Sequence, residues 1–508
     1  YITKAISAVL QLGVTMDFSI FLYHRYLSFK KKYKTKEEAM ENAICDTIVS
    51  VVGSSLTTVA GFLALCTMML TLGKDIGLVM AKGVIFGVIS VVTVFPAILL
   101  TFDNLIEKTS HKIILPKFEG LNKFIVKNYK IIFAIFLILI IPAWYGNKNT
   151  EVYYNLDKTL PRDLESSIAN SKLKETFNIV SPEIILVNKD LKSSDFEKMT
   201  NEISNIEGID LVLSSSMIDS LGIPKEMLGD EITSIFENDN YQLVLVNSVY
   251  ATATNALNSQ IDELNTIVKK YDENAIIAGE GPLMKDMVEI SDQDFNNVNY
   301  SSIALVFIIM IIVLKSASLP VLLVCAIEFA IFINMGLSFY TNVTIPFVSS
   351  IVIGTIQLGA TIDYAILMTT KYLEKRKEGK DPKESIKYSL DNSVSSIIVS
   401  GLCLFAATFG VGMYSRLEMI SSICNLIGRG ALISMVVVIF VIPTLLLIFD
   451  KIICKTTSGF GKEVNMKNKV KKSLAVFAIE VLTLGSTTVM ASTKNETVYA
   501  RLSKDGKV

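Results

Sequence analysis

The sequence predicts a polytopic α-helical membrane protein of about nine spans with one soluble α+β insert, and three observations carry that prediction. Apolar residues make up 51% of the 508 and charged residues only 19%, where a soluble domain carries about a quarter charged. The apolar residues gather into blocks of about 17–25, the length that crosses roughly 30 Å of hydrocarbon. Two of those blocks repeat one signature with an acid inside it, QLGVTMDF around Asp17 and QLGATIDY around Asp363.

Apolar spans are expected at roughly 2–23, 47–72, 76–102, 130–146, 298–315, 319–340, 343–370, 393–414 and 427–450. The short loops fix their orientation, because lysine and arginine stay on the cytoplasmic side. Residues 24–38 carry Arg25, Lys30, Lys31, Lys32, Lys34 and Lys36, and the loop after the seventh span carries Lys371, Lys375, Arg376, Lys377, Lys380 and Lys383. The link over 104–129 is equally basic. The insert over 147–297 then lies outside the cytoplasm, and it is rich in acids such as Asp157, Asp163, Asp292 and Asp294. The chain divides into three spans over 1–103, the linker 104–129, one span over 130–146, the insert 147–297, five spans over 298–450 and a tail over 451–508.

Within the insert, EIILV (183–187), IDLVL (209–213), QLVLVNS (242–248) and NAIIAGE (274–280) have strand composition. Helical periodicity runs over 194–206 and 255–271 between them. Two strand–helix–strand halves predict a ferredoxin-like split sandwich, a fold that carries no chemistry by itself. DFNNVNYSS (294–302) leads straight into the next span and joins this domain to the bundle.

The duplication extends beyond the acids. At the offset that relates Asp17 to Asp363, Tyr26 matches Tyr372, Glu38 matches Glu384 and Ser54 matches Ser400. With one residue added, Lys82-Gly83 matches Arg429-Gly430, Pro96 matches Pro443 and Asp103 matches Asp450.

A carboxylate in a membrane span costs about 2.5–3.5 kcal/mol on insertion scales and is retained for function. Asp17 lies eight residues before Arg25, and Asp363 eight before Lys371, so each acid sits roughly 12 Å inside the basic boundary. Its stem is too short to reach water. An acid that is neutral when facing one side and charged when facing the other is what a proton-driven cycle requires. The alternative is a structural aspartate hydrogen-bonded between helices.

Gly13 and Gly359, four residues before each acid, offer a face for close helix approach; packing of the two acid helices along it brings the acids together. Tyr364 follows the second acid where Phe18 follows the first, so a tyrosine hydroxyl is available to the carboxylate of the opposite copy in one direction only. Ser54, Ser55, Thr57, Thr58 and Ser400 supply hydroxyls to the carboxylates or bond their own helix carbonyls. Lys82 and Arg429 are read either as reaching outward to the soluble domain or as gating groups. No phosphate-binding loop, nucleophile elbow or metal-ligand cluster is present, and there are only two histidines. An enzyme, a bound cofactor and a metal are therefore not expected, nor is a nucleic-acid partner. The energy is expected from an ion gradient or a partner, not from ATP bound by this chain.

The GVTMDF and GATIDY pair, the RY and KY that follow, and the VFPAILL and VIPTLLL span ends resemble the MMPL branch of the resistance-nodulation-division superfamily. NLDKTLPRDLESSIANSKLKETF (155–177) resembles the start of its external domain. The resemblance covers roughly residues 1–455 and implies a twelve-span plan of which this chain holds spans four to twelve. Residues 1–103 are then the last three spans of the first repeat, and 130–146 is the first of the second. The chain opens on Tyr1 within an apolar run and is read as N-terminally truncated.

The resemblance implies proton-driven export of lipids, drugs or other hydrophobic molecules. It also implies Asp–Tyr proton relays, carried over to Asp17, Asp363 and Tyr364; Phe18 departs from that pattern. A sterol-sensor-like protein and a protein-export accessory of the SecD/SecF type are the alternatives. The expected partners are protons, the membrane, a lipid or hydrophobic small-molecule substrate, and a homo-oligomer or accessory membrane protein. Abundant lysine, isoleucine and asparagine suggest an AT-rich bacterial coding sequence and a single-membrane bacterium, so the expected location is a bacterial cell membrane. The segment 466–492, basic, then apolar, then small residues, has the layout of a secretory signal peptide, read either as a joined neighbouring protein or as a cytosolic tail.

Overall fold

A computed structural model describes residues 2–109, 118–155, 159–215 and 235–459; the signal-peptide-like segment 466–492, Asp157 and the middle of the 104–129 linker lie outside them. The chain opens with α1 (Ile2–Lys30), α2 (Lys36–Ala64), α3 (Thr71–Lys108) and α4 (Glu119–Lys148). The insert follows as β1 (Val152–Tyr153), α5 (Glu165–Phe177), β2 (Ser181–Asn188), α6 (Ser193–Ser204), β3 (Ile209–Leu213), β4 (Tyr241–Ser248), α7 (Asn255–Tyr271) and β5 (Ile276–Gly279). Then come α8 (Glu280–Leu314), α9 (Ser318–Tyr340), β6 (Ile345–Pro346), α10 (Phe347–Lys377), α11 (Pro382–Tyr414), α12 (Glu418–Ile448) and the short α13 (Asp450–Thr456).

Among the described residues nine helices are long and apolar enough to span a bilayer, and this is a multi-pass membrane protein. The helices outrun the expected apolar runs because amphipathic turns continue them past the hydrocarbon. α2 is the exception. Its apolar run was expected to reach residue 72, but the helix stops at Ala64 and gives way to a 3₁₀ turn at Leu65–Thr67. The backbone N–H groups of Met69 and Leu70 turn instead to the carboxylate of Asp294 on α8, at 2.6 and 3.1 Å.

The four main strands order as β3-β4-β2-β5, all antiparallel, which is the ferredoxin-like arrangement expected from the two strand–helix–strand halves. Strand alternation puts Ile185, Val187, Val244 and Val246 on the face that packs against Phe196, Met199 and Ile203 of α6 and Leu264 and Val268 of α7. α8 starts where β5 ends and runs without a break into the membrane bundle.

In the bundle, α10 is the most enclosed span, with 83% of its apolar window buried, and α4 the least, with 11%; the second acid helix is the core of the molecule. The repeat is visible in contacts. Gln11 Nε2 donates to the Gly83 carbonyl at 3.4 Å and Gln357 Nε2 to the Gly430 carbonyl at 3.3 Å. A Cβ on Gly83 would lie 2.9 Å from Gln11 Oε1, and one on Gly430 2.6 Å from Gln357 Oε1, so each glycine exists to admit that glutamine. At the basic end, the Tyr26 hydroxyl donates to Asp103 Oδ1 at 3.1 Å and the Tyr372 hydroxyl to Asp450 Oδ1. Lys30 holds both oxygens of Asp103 at 2.7 Å. Arg376 holds Asp450 through Nε at 2.8 Å and Nη2 at 2.9 Å. The matched positions that the sequence left without a role are therefore pins at two heights, fastening α1 to α3 in the first repeat and α10 to α12 and the start of α13 in the second.

Candidate functional site

The acids lie in the interior, and their environment is assembled from both repeats. α10 packs along α2, and α1 along α11. Thr57 Oγ1 lies 3.4 Å from Asp363 Oδ1 and Thr58 Oγ1 3.3 Å from Asp363 Oδ2, while the shorter bonds of the same hydroxyls run to the Ser54 carbonyl at 2.6 Å and the Gly359 carbonyl at 2.9 Å; Ser54 adjoins the same carboxylate. Ser400, the counterpart of Ser54, adjoins Asp17 instead. Each acid thus meets hydroxyls from the second helix of the opposite repeat.

The exchange is unequal. Cys403 and Leu404 stand on α11 where Thr57 and Thr58 stand on α2. Tyr364 lies beside Asp17 and Ser400, yet neither its hydroxyl nor Asp17 Oδ1 closes a hydrogen bond among the described residues. Phe18 is buried on the other side and offers Asp363 no hydroxyl. Tyr364 thus stands at Asp17 as its neighbour, while Asp363 has the Thr57 and Thr58 hydroxyls within 3.4 Å. Ser55 bonds the Val52 carbonyl of its own helix.

The packing glycines also differ from expectation. A Cβ on Gly13 would lie 2.5 Å from Leu404 Cδ1 on α11, and one on Gly61 of α2 would lie 3.1 Å from the Gly359 backbone. Gly13 and Gly359 therefore face the second helix of the opposite repeat, and the two acid helices do not pack along one shared glycine face. The physical reason is the exchange just described: each acid is brought to the other repeat's hydroxyls by closing that seam.

Asp17, Asp363, Tyr364, Ser54 and Ser400 line a common cavity of about 60 Å³, several times the roughly 10–15 Å³ that one water's centre requires. The cavity continues one to two turns toward the basic end, past Ser50, Ser396 and Thr370. Ser50 and Ser396 are also related by the repeat offset, a match the sequence reading passed over.

Arg429 does not reach the soluble domain. It turns into the bundle, with Nε on Asn334 Oδ1 at 2.8 Å and Nη2 on the Asn334 carbonyl at 2.6 Å and on Ser338 Oγ at 3.0 Å. Asn334 Nδ2 donates in turn to Gln357 Oε1 at 2.8 Å. Helix α9 supplies carbonyl and amide acceptors at that depth, so inward pairing satisfies the guanidinium without a path to water. Lys82, its counterpart, is exposed on α3. Sequence reading also missed Glu328, a half-buried acid inside the apolar run of α9; the signal that marked Asp17 was available there too. Among the described residues no group of three or more metal-ligating side chains occurs.

Residues 1–112 and 161–472 of the sequence match one family model. The chain belongs to the MMPL family. Among its relatives, the membrane protein ActII-3 of Streptomyces coelicolor is 22% identical over 463 residues, 87% of this chain and 61% of that one. The sulfolipid-1 exporter MmpL8 of Mycobacterium tuberculosis is 27% identical over 222 residues, 40% of this chain and 20% of that protein. The membrane protein MJ1562 of Methanocaldococcus jannaschii is 36% identical over 89 residues, 18% of this chain and 23% of that protein. This MMPL chain spans less than two thirds of the length of these relatives.

Proposed function

We propose that this chain is the greater part of a proton-driven exporter of lipids or other hydrophobic molecules in a bacterial cell membrane. The αβ domain lies outside the cytoplasm, because the loops at the opposite end hold the lysine and arginine clusters. Asp17 and Asp363 take up and release the proton, and Tyr364, Ser54, Thr57 and Ser400 surround them. Gly13 and Gly359 set the closeness of the seam along which this happens. Arg429, bound within α9, ties the third helix of the second repeat to its neighbour. Membership of the MMPL family and the named lipid exporter among the relatives support the substrate class.

The observation that carries the reading is the reciprocal placement of two interior acids against hydroxyls of the opposite repeat, beside a cavity with room for water. A carboxylate so placed has two energetically distinct states, charged and neutral. A change of seam geometry alters the balance between them, which is how an ion gradient drives a conformational cycle.

The test uses the complete protein in liposomes of native lipid, with an imposed pH gradient and a pH-sensitive dye inside. The gradient collapses with the wild type and persists with Asp17→Asn or Asp363→Asn, at equal protein incorporation. Collapse at the wild-type rate in either variant would refute the relay.

A further inference from the structure

Asp294 lies on α8 between the αβ domain and the membrane bundle and is wholly buried. Both its oxygens accept backbone N–H groups, from Met69 at 2.6 Å and from Leu70 at 3.1 Å, at the corner where α2 has ended and α3 begins. Two further contacts fasten α8 to α2 and the 3₁₀ turn that ends it. Thr67 Oγ1 of that turn and Ser301 Oγ stand 3.1 Å apart. Within α2, a Cβ on Gly53 would lie 2.8 Å from Val313 Cγ1. One helix that enters the soluble domain thus grips α2 and its terminal turn at three heights.

α2 is the helix whose Thr57 and Thr58 hydroxyls hold Asp363. α8 packs on α10, the helix of Asp363, as well. It does not pack along α1 or α11, the helices that carry Asp17 and Ser400. The domain-bearing helix therefore addresses one acid of the two.

We propose that Asp294 is a positioning residue through which the αβ domain sets the hydroxyl environment of Asp363 and leaves that of Asp17 unaffected. The proposal rests on the relay reading above and deepens it: substrate in the external domain reports to the second acid, and the first acid is read by the partner repeat alone. A carboxylate suits this post because it accepts two N–H bonds at once, and charge-assisted hydrogen bonds of this kind are about twice as strong as neutral ones. An asparagine supplies one acceptor and no charge.

The experiment measures modification of each acid by dicyclohexylcarbodiimide, which attacks protonated carboxyls in apolar surroundings. The full chain is reconstituted, and labelling at Asp17 and at Asp363 is quantified separately by peptide mass spectrometry as a function of pH. In Asp294→Ala the labelling rate of Asp363 changes by about threefold or more, the low end of what one net hydrogen bond contributes, and that of Asp17 does not change. Asp294→Asn falls between. Hydrogen exchange at Met69 and Leu70 reports whether the cap is lost. A Thr67→Cys/Ser301→Cys disulfide, in a background without the six native cysteines, returns Asp363 to its wild-type rate by refastening α2 to α8. An unchanged Asp363 rate after loss of the cap, or equal changes at both acids, would overturn the proposal. Labelling of the wild type that ignores pH at both acids would sink the relay reading instead, and the ratio of the two rates would still decide the role of Asp294.

Discussion

Glu183 gives the sharpest quantitative prediction. It sits on β2 at the same strand parity as Ile185 and Val187, 1% exposed, and neither carboxyl oxygen has a hydrogen-bond partner among the described residues. The first turn of α8 closes over it: a Cβ on Gly281 would lie 2.6 Å from Glu183 Oε1 and 3.2 Å from Leu257 on α7. Lys285 of α8 and Asp262 of α7 pair with each other rather than with it. Burial pushes its carboxyl up from 4.5 to about 7. The folded domain therefore holds this proton more tightly than the unfolded chain, and the sign follows. Below pH 4.5 both states are neutral and nothing is lost. As pH rises, the unfolded chain ionises first and the folded state loses stability, by about 1 kcal/mol at pH 5 and about 3 kcal/mol at pH 8. Hydrogen exchange of β2 and β4 amides in the full chain, corrected for intrinsic rates, should show protection falling roughly 70-fold between those pH values. Glu183→Gln removes that part of the slope. Because other groups add a common background, the quantity read is the difference between the two proteins. Equal slopes would refute the argument.

Two further outcomes are expected. Converting Thr57 and Thr58 to their repeat counterparts, Thr57→Cys with Thr58→Leu, should bring the carbodiimide pH profile of Asp363 toward that of Asp17; profiles that stay apart would mean that these hydroxyls do not distinguish the acids. Asp450→Asn should lower stability by about 3 kcal/mol, because it strands the Arg376 guanidinium at 16% exposure. Asp103→Asn should cost less, since Lys30 keeps Glu107 at 2.6 Å and Lys36 is 35% exposed, and thermal melting in detergent ranks the pair.

The spans were legible because hydrocarbon demands long apolar runs and tolerates little else. The ferredoxin-like insert was legible because its strands and helices keep clean periods of 2 and 3.6. The site was only half legible. An aspartate in an apolar helix announces itself, and its recurrence at Asp363 announces a pair, but which helix supplies the hydroxyls is a tertiary fact. Gly13 and Gly359 looked like a surface for each other and turned out to admit Leu404 and Gly61. Arg429 looked outward because no sequence rule reveals Asn334 waiting beside it. Asp294 read as one more acid in an acidic insert; the two amides that occupy it lie 225 and 224 positions away. Glu183 was within reach, since its parity with Ile185 already placed it on the covered face.

The crossed arrangement at the seam has a historical consequence. Because α1 seeks α11 while α10 seeks α2, each half completes the other, and a single half would leave its carboxylate without hydroxyls. Surfaces that satisfy one another in this reciprocal way are what two copies of a shorter ancestor present across a two-fold axis. Two copies joined in one gene are free to differ, and Phe18 and Tyr364 at matched positions are where the two halves part company beside the acids.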